Sequence, residues 1–165
     1  MNKRLSTLLC MLTICLSMLA ASPAGRLFHI ERSKNKNIVC YDVQLKGSTL
    51  NIDKPLDNYW LRNETDGSRE DLSFIEKKMA YGYKVVSKGN NEANVKLTAY
   101  DKQSIRICQR NGKWVGLVKI NGEECQLTKI YVQANPKNSL KVLYIELTGT
   151  STASGKVVTQ RIENN

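Results

Sequence analysis

The sequence predicts a mainly β protein, an antiparallel β-sandwich or barrel of about nine short strands with one covering α-helix. The first observation is a pair of dipeptides, Asn111-Gly112 and Asn121-Gly122, each lying between strand-like runs of alternating apolar residues. Asn-Gly is the strongest short-range hairpin signal, because a type I′ turn needs positive φ at both central residues. The second observation is that turn residues recur at short intervals, which is typical of sandwiches and barrels alike. The choice between these two architectures stays open.

The first 24 residues are typical of a secretory signal peptide. Met1–Arg4 is a short basic head, Leu5–Ala21 is apolar apart from Ser and Thr, and Ser22–Ala24 supplies small residues near a cleavage site. A retained membrane anchor is the alternative, but a spanning helix needs about 20 predominantly apolar residues and this run is shorter. We therefore expect cleavage after Ala24, export to the periplasm or the exterior, and a single β-rich domain over residues 25–165 without a further membrane span.

The chain is strongly basic, with 25 Lys and Arg against 15 Asp and Glu and a formal net charge of +10 at pH 7. Such a charge suits anionic partners: an acidic glycan, a lipid headgroup surface of the cell envelope, or nucleic acid. The cations are scattered along the chain, so a lysine-rich soluble surface is the simpler interpretation. No RNA-reading or helix-turn-helix motif accompanies them, which argues against nucleic acid.

Two alternating runs, Arg26–Arg32 and Ile38–Leu45, predict the first hairpin, with polar residues Ser33–Asn37 between them. Burial fixes the register, because a slip of one residue turns every side chain to the opposite face. Keeping the apolar side chains together requires a loop of about four residues. This loop places Phe28 opposite Val43 on the core face.

On the polar face of this hairpin, His29 is expected opposite Asp42, with Glu31 close by. Side chains directly opposite in a sheet lie about 5 Å apart at Cβ, and a carboxylate in that position fixes the tautomer of an imidazole. The three residues are therefore candidates for the general base of a hydrolase-like enzyme. The alternative is a polar pair on a solvated face, since no Ser or Cys lies in a recognisable nucleophile elbow. A lone His also lacks the clustered ligands of a zinc site, so no metal or cofactor is expected.

The segment Asn58–Asn63 is a short strand rich in aromatic residues. Trp60 and Arg62 fall on one face of it, and an exposed Trp beside an Arg could stack on a sugar or a planar ligand. Together with Arg32 on the first strand, they are candidate ligand-binding residues. The alternative is that Trp60 belongs to the core, because Trp side chains are highly buried on average.

One helix is predicted between the aromatic strand and Gly82. Ser68 is a suitable N-cap, with Asp71 three residues on, and Gly82 is a natural terminator. The apolar residues of this helix fall on one stripe, namely Leu72, Ile75 and Met79. A helix of about ten residues should therefore dock on the sheet and cover an apolar face.

The remainder of the chain is expected to continue as strands. The predicted runs are Tyr83–Lys88, Ala93–Tyr100, Ser104–Arg110, Lys113–Ile120, Glu123–Val132, Leu140–Leu147 and Lys156–Ile162. The two Asn-Gly turns fix the pairing in the middle of this region. Ile107 should oppose Gly116, and Val118 should oppose Cys125.

Three cysteines follow the predicted signal peptide, namely Cys40, Cys108 and Cys125. In the predicted meander Cys125 is a small buried hydrophobe and Cys108 points to the other face, so a bridge between them is geometrically poor. Cys40 and Cys108 could pair only if their strands meet, and this is left open. Cys40 near His29 is the one candidate for a reactive thiol.

Four segments carry a family resemblance: FHIERSKN from Phe28, IVCYD from Ile38, YWLR from Tyr59 and IEKKMAYG from Ile75. With these segments the chain resembles a family of secreted bacterial proteins that is known only as a domain of unknown function. The resemblance covers nearly all of the chain after residue 24 and implies one extracytoplasmic domain. It supplies no activity, substrate or catalytic residue.

Three functional hypotheses follow. The first is a non-catalytic, exported binding or envelope-associated module that contacts an anionic glycan or an envelope surface. The second is a hydrolase-like enzyme that uses His29, Asp42 and Glu31. The third is a carrier that holds an apolar ligand in a barrel cavity. We favour the first, because no Ser or Cys lies in a recognisable nucleophile elbow for the second. The third would need aromatic side chains of the strands to line an enclosed cavity, and a tightly filled interior would remove it.

Overall fold

The computed structural model describes residues 25–164. The predicted signal peptide, residues 1–24, lies outside the described residues and stays a prediction. The first strands are β1 Arg26–Arg32, β2 Asn35–Val43, β3 Leu45–Lys46, β4 Thr49–Leu50, β5 Leu56–Leu61 and β6 Arg69–Asp71. The helix α1, Phe74–Glu76, follows and continues as a π-helical turn over Lys77–Tyr81. The last strands are β7 Tyr83–Gly89, β8 Glu92–Leu97, β9 Tyr100–Arg110, β10 Lys113–Ile120, β11 Glu123–Asn135, β12 Asn138–Ser151 and β13 Val157–Glu163.

Eleven of the described strands form one curled, mixed sheet with the shape of a half-barrel. Hydrogen-bonded neighbours follow the order β6-β5-β2-β1-β11-β10-β9-β8-β7, with β12 also paired to β11 and β13 paired to β12. The strands β3 and β4 form a separate hairpin. The expected mainly β class is confirmed. The expectation of an antiparallel sheet holds only in part, because β1 runs parallel to β11.

The sheet branches at β11, which is long enough to pair with two strands in succession. Its first part pairs with β10, as in Val118↔Cys125, and its second part pairs with β1, as in Ile30↔Ile130. The strand β12 pairs with β11 over nearly its whole length. The close approach of β12 to β11 depends on Gly149, where an added Cβ would lie 2.6 Å from the carbonyl oxygen of Gln126.

The branch creates two wings, which we call the first wing (β1, β2, β5 and β6) and the second wing (β7 to β10). Their apolar faces pack on each other. Phe28 of the first wing stacks on Tyr41, with ring centroids 4.6 Å apart, and both side chains are fully buried. An added Cβ on Gly116 of the second wing would lie 3.6 Å from Phe28 Cδ1. Packed aromatic and aliphatic side chains thus occupy the space where the carrier hypothesis would place a ligand.

The two Asn-Gly turns are confirmed. The φ angles are 50° at Asn111, 74° at Gly112, 51° at Asn121 and 82° at Gly122, so both central residues of each turn are in the left-handed region that type I′ requires. The predicted pairs Ile107↔Gly116 and Val118↔Cys125 form. Local turn chemistry therefore fixes the register of the meander.

The predicted register of the first hairpin is wrong by two residues. Phe28 pairs with Tyr41 and His29 pairs with Cys40. Beyond a register shift, Asp42 pairs with Arg26, three residues from its predicted partner His29. The reason is a tight turn at Ser33-Lys34, in place of the longer expected loop, together with register shifts near both ends of β1. A shift of two residues keeps the side chains of residues 28–31 on their predicted faces, so Phe28, Ile30 and Tyr41 lie in the core as expected.

The predicted start of the helix is also wrong. Arg69–Asp71, expected in the first turn, form the strand β6 and pair with β5. The helix begins after Ser73, whose side chain accepts from the Glu76 N–H, while the Glu76 carboxylate accepts from the Ser73 N–H. This reciprocal capping box satisfies two backbone donors and outweighs the weaker Ser68 signal.

The helix does not cover the sheet, which corrects its predicted role. Phe74, Ile75 and Met79 are 77, 69 and 73 % exposed. Instead, Leu72 before the helix and Tyr81 at its end are buried and anchor the segment. The π-helical turn, closed by the Gly82 N–H donating to the Lys77 carbonyl at 2.9 Å, departs from the 3.6-residue period that had placed Ile75 and Met79 on the inner stripe.

Candidate functional site

A groove opens at the seam of the half-barrel, where β5 of the first wing faces β7 of the second wing. It has a cavity volume of about 900 Å³, which is at the upper end of the range for small-molecule sites. The loop before β5, the helical segment and β7 supply its walls. Five lysines line it, and we therefore call it the lysine groove: Lys54, Lys77, Lys78, Lys84 and Lys88.

Side chains rather than a ladder of backbone hydrogen bonds hold the seam together. The Tyr83 hydroxyl donates to the Leu56 carbonyl at 2.7 Å and accepts from the Leu56 N–H at 3.2 Å. Deeper in the seam, the Tyr81 carbonyl accepts from the Tyr41 hydroxyl at 2.7 Å and from Asn58 Nδ2 at 2.6 Å. These bonds fix the distance between the wings and leave the groove open above them.

The charge in the groove is predominantly positive. Asp53 pairs with Lys88 at 2.6 Å, and this hydrogen bond lowers the pKa of the Asp53 carboxyl. Asp57 is bound by Arg69 at 2.9 Å, so neither acid of the groove is free to neutralise another lysine. The other four lysines of the groove form no ion pair within residues 25–164. An anion in the groove would therefore meet several unneutralised cations.

The floor of the groove is partly apolar and partly polar. Leu56 and Val85 supply apolar surface, and Gln44 Oε1 is a buried oxygen that has no hydrogen-bond partner among the described residues. Burial raises the pKa of Tyr83, so its hydroxyl stays protonated and keeps its bonds to the seam at neutral pH. A ligand with both apolar and anionic parts would be complementary to this surface.

Hydrogen bonds to the Glu76 side chain hold the helical segment against the first wing. Trp60 Nε1 donates to the Glu76 carboxylate at 2.9 Å, and Ser73 also donates to that carboxylate. Burial alone would raise the pKa of Glu76, but the bonds from Ser73 and Trp60 outweigh it and the pKa is lowered. At neutral pH Glu76 is therefore an ionised anchor that ties the helix to the first wing.

Two of the three predicted ligand-binding residues, Arg32 and Trp60, contact Tyr81, and the third, Arg62, contacts Trp60. Arg32 donates to the Tyr81 hydroxyl at 2.8 Å, and the Tyr81 ring meets Trp60 edge-on at 5.1 Å. Arg62 lies over the Trp60 ring at 4.9 Å and pairs with Glu70 at 2.6 Å. Trp60 is only 5 % exposed, so the core alternative is the one that holds for this side chain.

The predicted acid–base residues His29, Asp42 and Glu31 do not converge. His29 Nε2 lies 3.0 Å from Glu31 Oε1, but Asp42 accepts from Arg26 at 3.0 Å and from the Tyr59 hydroxyl at 2.7 Å. Burial would raise the pKa of Glu31, yet its hydrogen bond with His29 and the nearby Lys129 lower it. The arrangement is an ion-paired outer sheet face, and it offers the enzyme hypothesis no three-residue site.

The candidate reactive thiol is suppressed by its surroundings. Cys40 pairs with His29 in the sheet but is fully buried, and burial raises its pKa to about 11. All three cysteines that the structure describes are free thiols, namely Cys40, Cys108 and Cys125. The disulfide between Cys40 and Cys108 that the sequence allowed is therefore absent. Cys125 is buried, as expected. Among residues 25–164, no group of three or more His, Cys, Asp or Glu side chains could hold a metal ion.

Sequence reasoning missed the lysine groove. Four of its lysines, Lys77, Lys78, Lys84 and Lys88, fall within one stretch from the helix to β7. This local density of lysines indicates a basic surface, but it does not show which lysines face one another in the fold. Lys54 and the acids that pair with Lys88 and Arg69 come from elsewhere in the chain, and only the curl of the sheet brings them to the seam.

The fold and the groove together define a mainly β half-barrel protein with an open, basic groove at the seam of its sheet. Residues 28–161 match the family model of a domain of unknown function, DUF4833, so the chain belongs to this family. The resemblance seen in the sequence to an uncharacterised family is thus confirmed. No match was found among curated proteins or among solved structures.

Within residues 25–164, no helix has the length and apolar character that crossing a membrane requires.

Proposed function

We propose that this protein is an exported, non-catalytic binding module that holds a polyanionic component of the cell envelope in its lysine groove. The observation that carries the proposal is the charge of the groove, where five lysines face only two acids. Asp53 is paired with one of the five, Lys88, and Asp57 is bound by Arg69, so four lysines keep their charge unpaired by these acids. The signal-peptide pattern of residues 1–24 supports export. An anionic glycan or an anionic envelope surface has the chemistry that this groove would recognise.

The side chains that line the groove support binding rather than catalysis. A nucleophile, a base and an oxyanion site must lie within hydrogen-bond reach of a common point for acyl or glycosyl transfer. The lysine groove instead presents point charges around a floor that is only partly apolar, an arrangement suited to retaining an anion. His29 and Glu31, the one imidazole–carboxylate pair, lie on the outer face of the first wing and are not part of the groove.

The test is retention of the chain from Gly25 onward on immobilised heparin, a polyanion that has no apolar layer. This part of the chain contains every core residue among those that the structure describes. A groove variant replaces three lysines with glutamine: Lys77, Lys78 and Lys84. A matched control variant replaces three exposed lysines elsewhere: Lys102, Lys119 and Lys141. Both variants lose the same net charge, so their comparison separates a site from overall charge.

We expect the unmodified chain to elute only at raised salt, the groove variant to elute at much lower salt, and the control variant to elute close to the unmodified chain. Equal elution of the two variants would mean that net charge alone drives retention. A chain that passes through the column at low salt would contradict the proposal altogether.

A further inference from the structure

The helical segment beside the lysine groove exposes an unusual amount of apolar surface. Seven large hydrophobic side chains are exposed among the described residues, and three of them, Phe74, Ile75 and Met79, stand together on this one short segment. Val86 of β7 is half exposed as well. Soluble surfaces carry exposed apolar residues singly, whereas a cluster of them marks an interaction site. We call Phe74, Ile75 and Met79 the apolar tip.

Hydrogen bonds at both ends of the helical segment keep the apolar tip exposed. The Ser73–Glu76 capping box and the Trp60–Glu76 hydrogen bond fix the start of the segment. The Tyr81 carbonyl, which accepts two buried hydrogen bonds, fixes its end. With both ends tied to the first wing, the tip residues between them cannot turn inward without breaking these contacts.

Three lysines lie near the tip. Lys77 and Lys78 lie within the same segment, and Lys78 Nζ is 6.0 Å from the centre of the Phe74 ring. Lys84 lies on the facing wall of the groove. A soluble polyanion would use these lysines and leave the apolar tip in water, whereas an uncharged apolar partner would use the tip and desolvate the lysines at a cost. A surface that presents anionic groups above an apolar layer, as an anionic lipid bilayer does, satisfies both parts.

We propose that the apolar tip inserts into the headgroup–acyl boundary of an anionic phospholipid bilayer, while the lysines of the groove contact its phosphate groups. The proposal rests on the proposed function and names the polyanionic envelope component as a lipid surface. A short element with large apolar side chains and flanking lysines has the composition of an interfacial anchor. Its affinity should depend on both the buried apolar area and the negative surface potential.

The experiment measures sedimentation of the chain from Gly25 onward with two kinds of vesicle. One kind is phosphatidylcholine alone, and the other also contains phosphatidylglycerol. The tip variant carries three substitutions: Phe74→Ser, Ile75→Ser and Met79→Ser. The control variant carries Leu140→Ser and Val157→Ser, which alter side chains that are 92 and 72 % exposed and lie far along the chain from the tip. All five positions are exposed, so both variants should keep the circular dichroism spectrum of the unmodified chain.

We expect the unmodified chain to bind the phosphatidylglycerol vesicles and not those of phosphatidylcholine alone. The tip variant should bind at least about tenfold more weakly, because the apolar contribution of three side chains is lost. The control variant should bind as the unmodified chain does. The tip variant should still be retained on heparin, since its lysines are intact.

Three results would overturn the inference. They are equal vesicle binding by the tip variant and the unmodified chain, equal binding to the two kinds of vesicle, and retention on heparin without binding to any vesicle. The last result would leave the proposed function standing and would point to an anionic glycan. Failure to bind either heparin or vesicles would remove both proposals together.

Discussion

The seam between β5 and β7 makes a sharp prediction, because one hydroxyl group bridges it. Substituting Tyr83→Phe keeps the ring and removes the oxygen that donates to the Leu56 carbonyl at 2.7 Å and accepts from the Leu56 N–H at 3.2 Å. Leu56 is 1 % exposed, so water reaches these backbone groups poorly in the intact seam. The variant therefore isolates the contribution of the bridge from that of the surrounding packing.

The expected size follows from the two bonds. A neutral intramolecular hydrogen bond contributes about 1 kcal/mol net, and a buried group left without its partner costs about 1–3 kcal/mol. We expect the free energy of unfolding to fall by about 2 kcal/mol. Urea denaturation followed by circular dichroism measures it, with an unchanged dependence on denaturant as evidence that the unfolded state is the same.

Tyr144→Phe is the matched control. The Tyr144 ring lies against Arg161 at 4.1 Å, and its hydroxyl makes no hydrogen bond within the described residues. We expect that variant to stay within about 0.5 kcal/mol of the unmodified chain. A Tyr83→Phe variant that is as stable as the control would show that the seam does not depend on this bridge, and the reasoning about how the wings are held would be refuted.

Three further outcomes are expected. Gly149→Ala should destabilise the chain by roughly 3 kcal/mol in urea denaturation, because its Cβ would meet the Gln126 carbonyl oxygen at 2.6 Å where two strands pair; a loss below about 1 kcal/mol would contradict the close approach. The lowered pKa of Glu76 means that its stabilising effect is complete above its unfolded pKa of about 4.3 and is lost as pH falls through the folded value, so Glu76→Gln should reduce the acid sensitivity of unfolding measured below about pH 4.5; identical acid profiles would contradict the anchor. Buried Cys40 and Cys125 should resist iodoacetamide in the native chain and react only after unfolding, as mass spectrometry would measure, because burial raises the pKa of both thiols; rapid native alkylation of either would contradict their burial.

Local chemistry predicted the parts of the fold that depend on neighbours in sequence. The two Asn-Gly turns set the meander, because each requires positive φ at two adjacent residues and each joins strands that are next to each other in the chain. The alternation of Phe28 and Ile30 with their partners placed them in the core even though the register of the hairpin was wrong by two residues. Side-chain facing has a period of two, so this error did not reach the core.

Long-range pairing was beyond the same reasoning. Nothing in the run of residues around Ile30 tells that β1 lies parallel to the second part of β11, because the two strands are far apart in sequence and no turn joins them. The branch at β11 and the curl of the sheet follow from that pairing. The lysine groove depends on this pairing as well, because Lys54 and Lys84 line the same groove only when the two wings face each other.

The helix illustrates how an amphipathic pattern can mislead. Leu72, Ile75 and Met79 have the spacing of a buried stripe, but the capping box at Ser73 starts the helix later than Ser68 would. The segment is then too short to bury a stripe, and Ile75 and Met79 are left exposed. In sequence, a buried stripe and an exposed cluster of apolar side chains look alike.

The most direct test of the central claim is the rate of lysine acetylation, residue by residue, with and without phosphatidylglycerol vesicles. If the groove contacts anionic headgroups, Lys77, Lys78 and Lys84 should be acetylated several-fold more slowly when vesicles are present, because contact covers their amines and favours their charged form. Lys102 and Lys141, exposed elsewhere, should react at unchanged rates. Two results would contradict the account. One is the same change in acetylation rate at all five lysines when vesicles are added, and the other is slower acetylation of Lys102 and Lys141 with no change at the groove lysines.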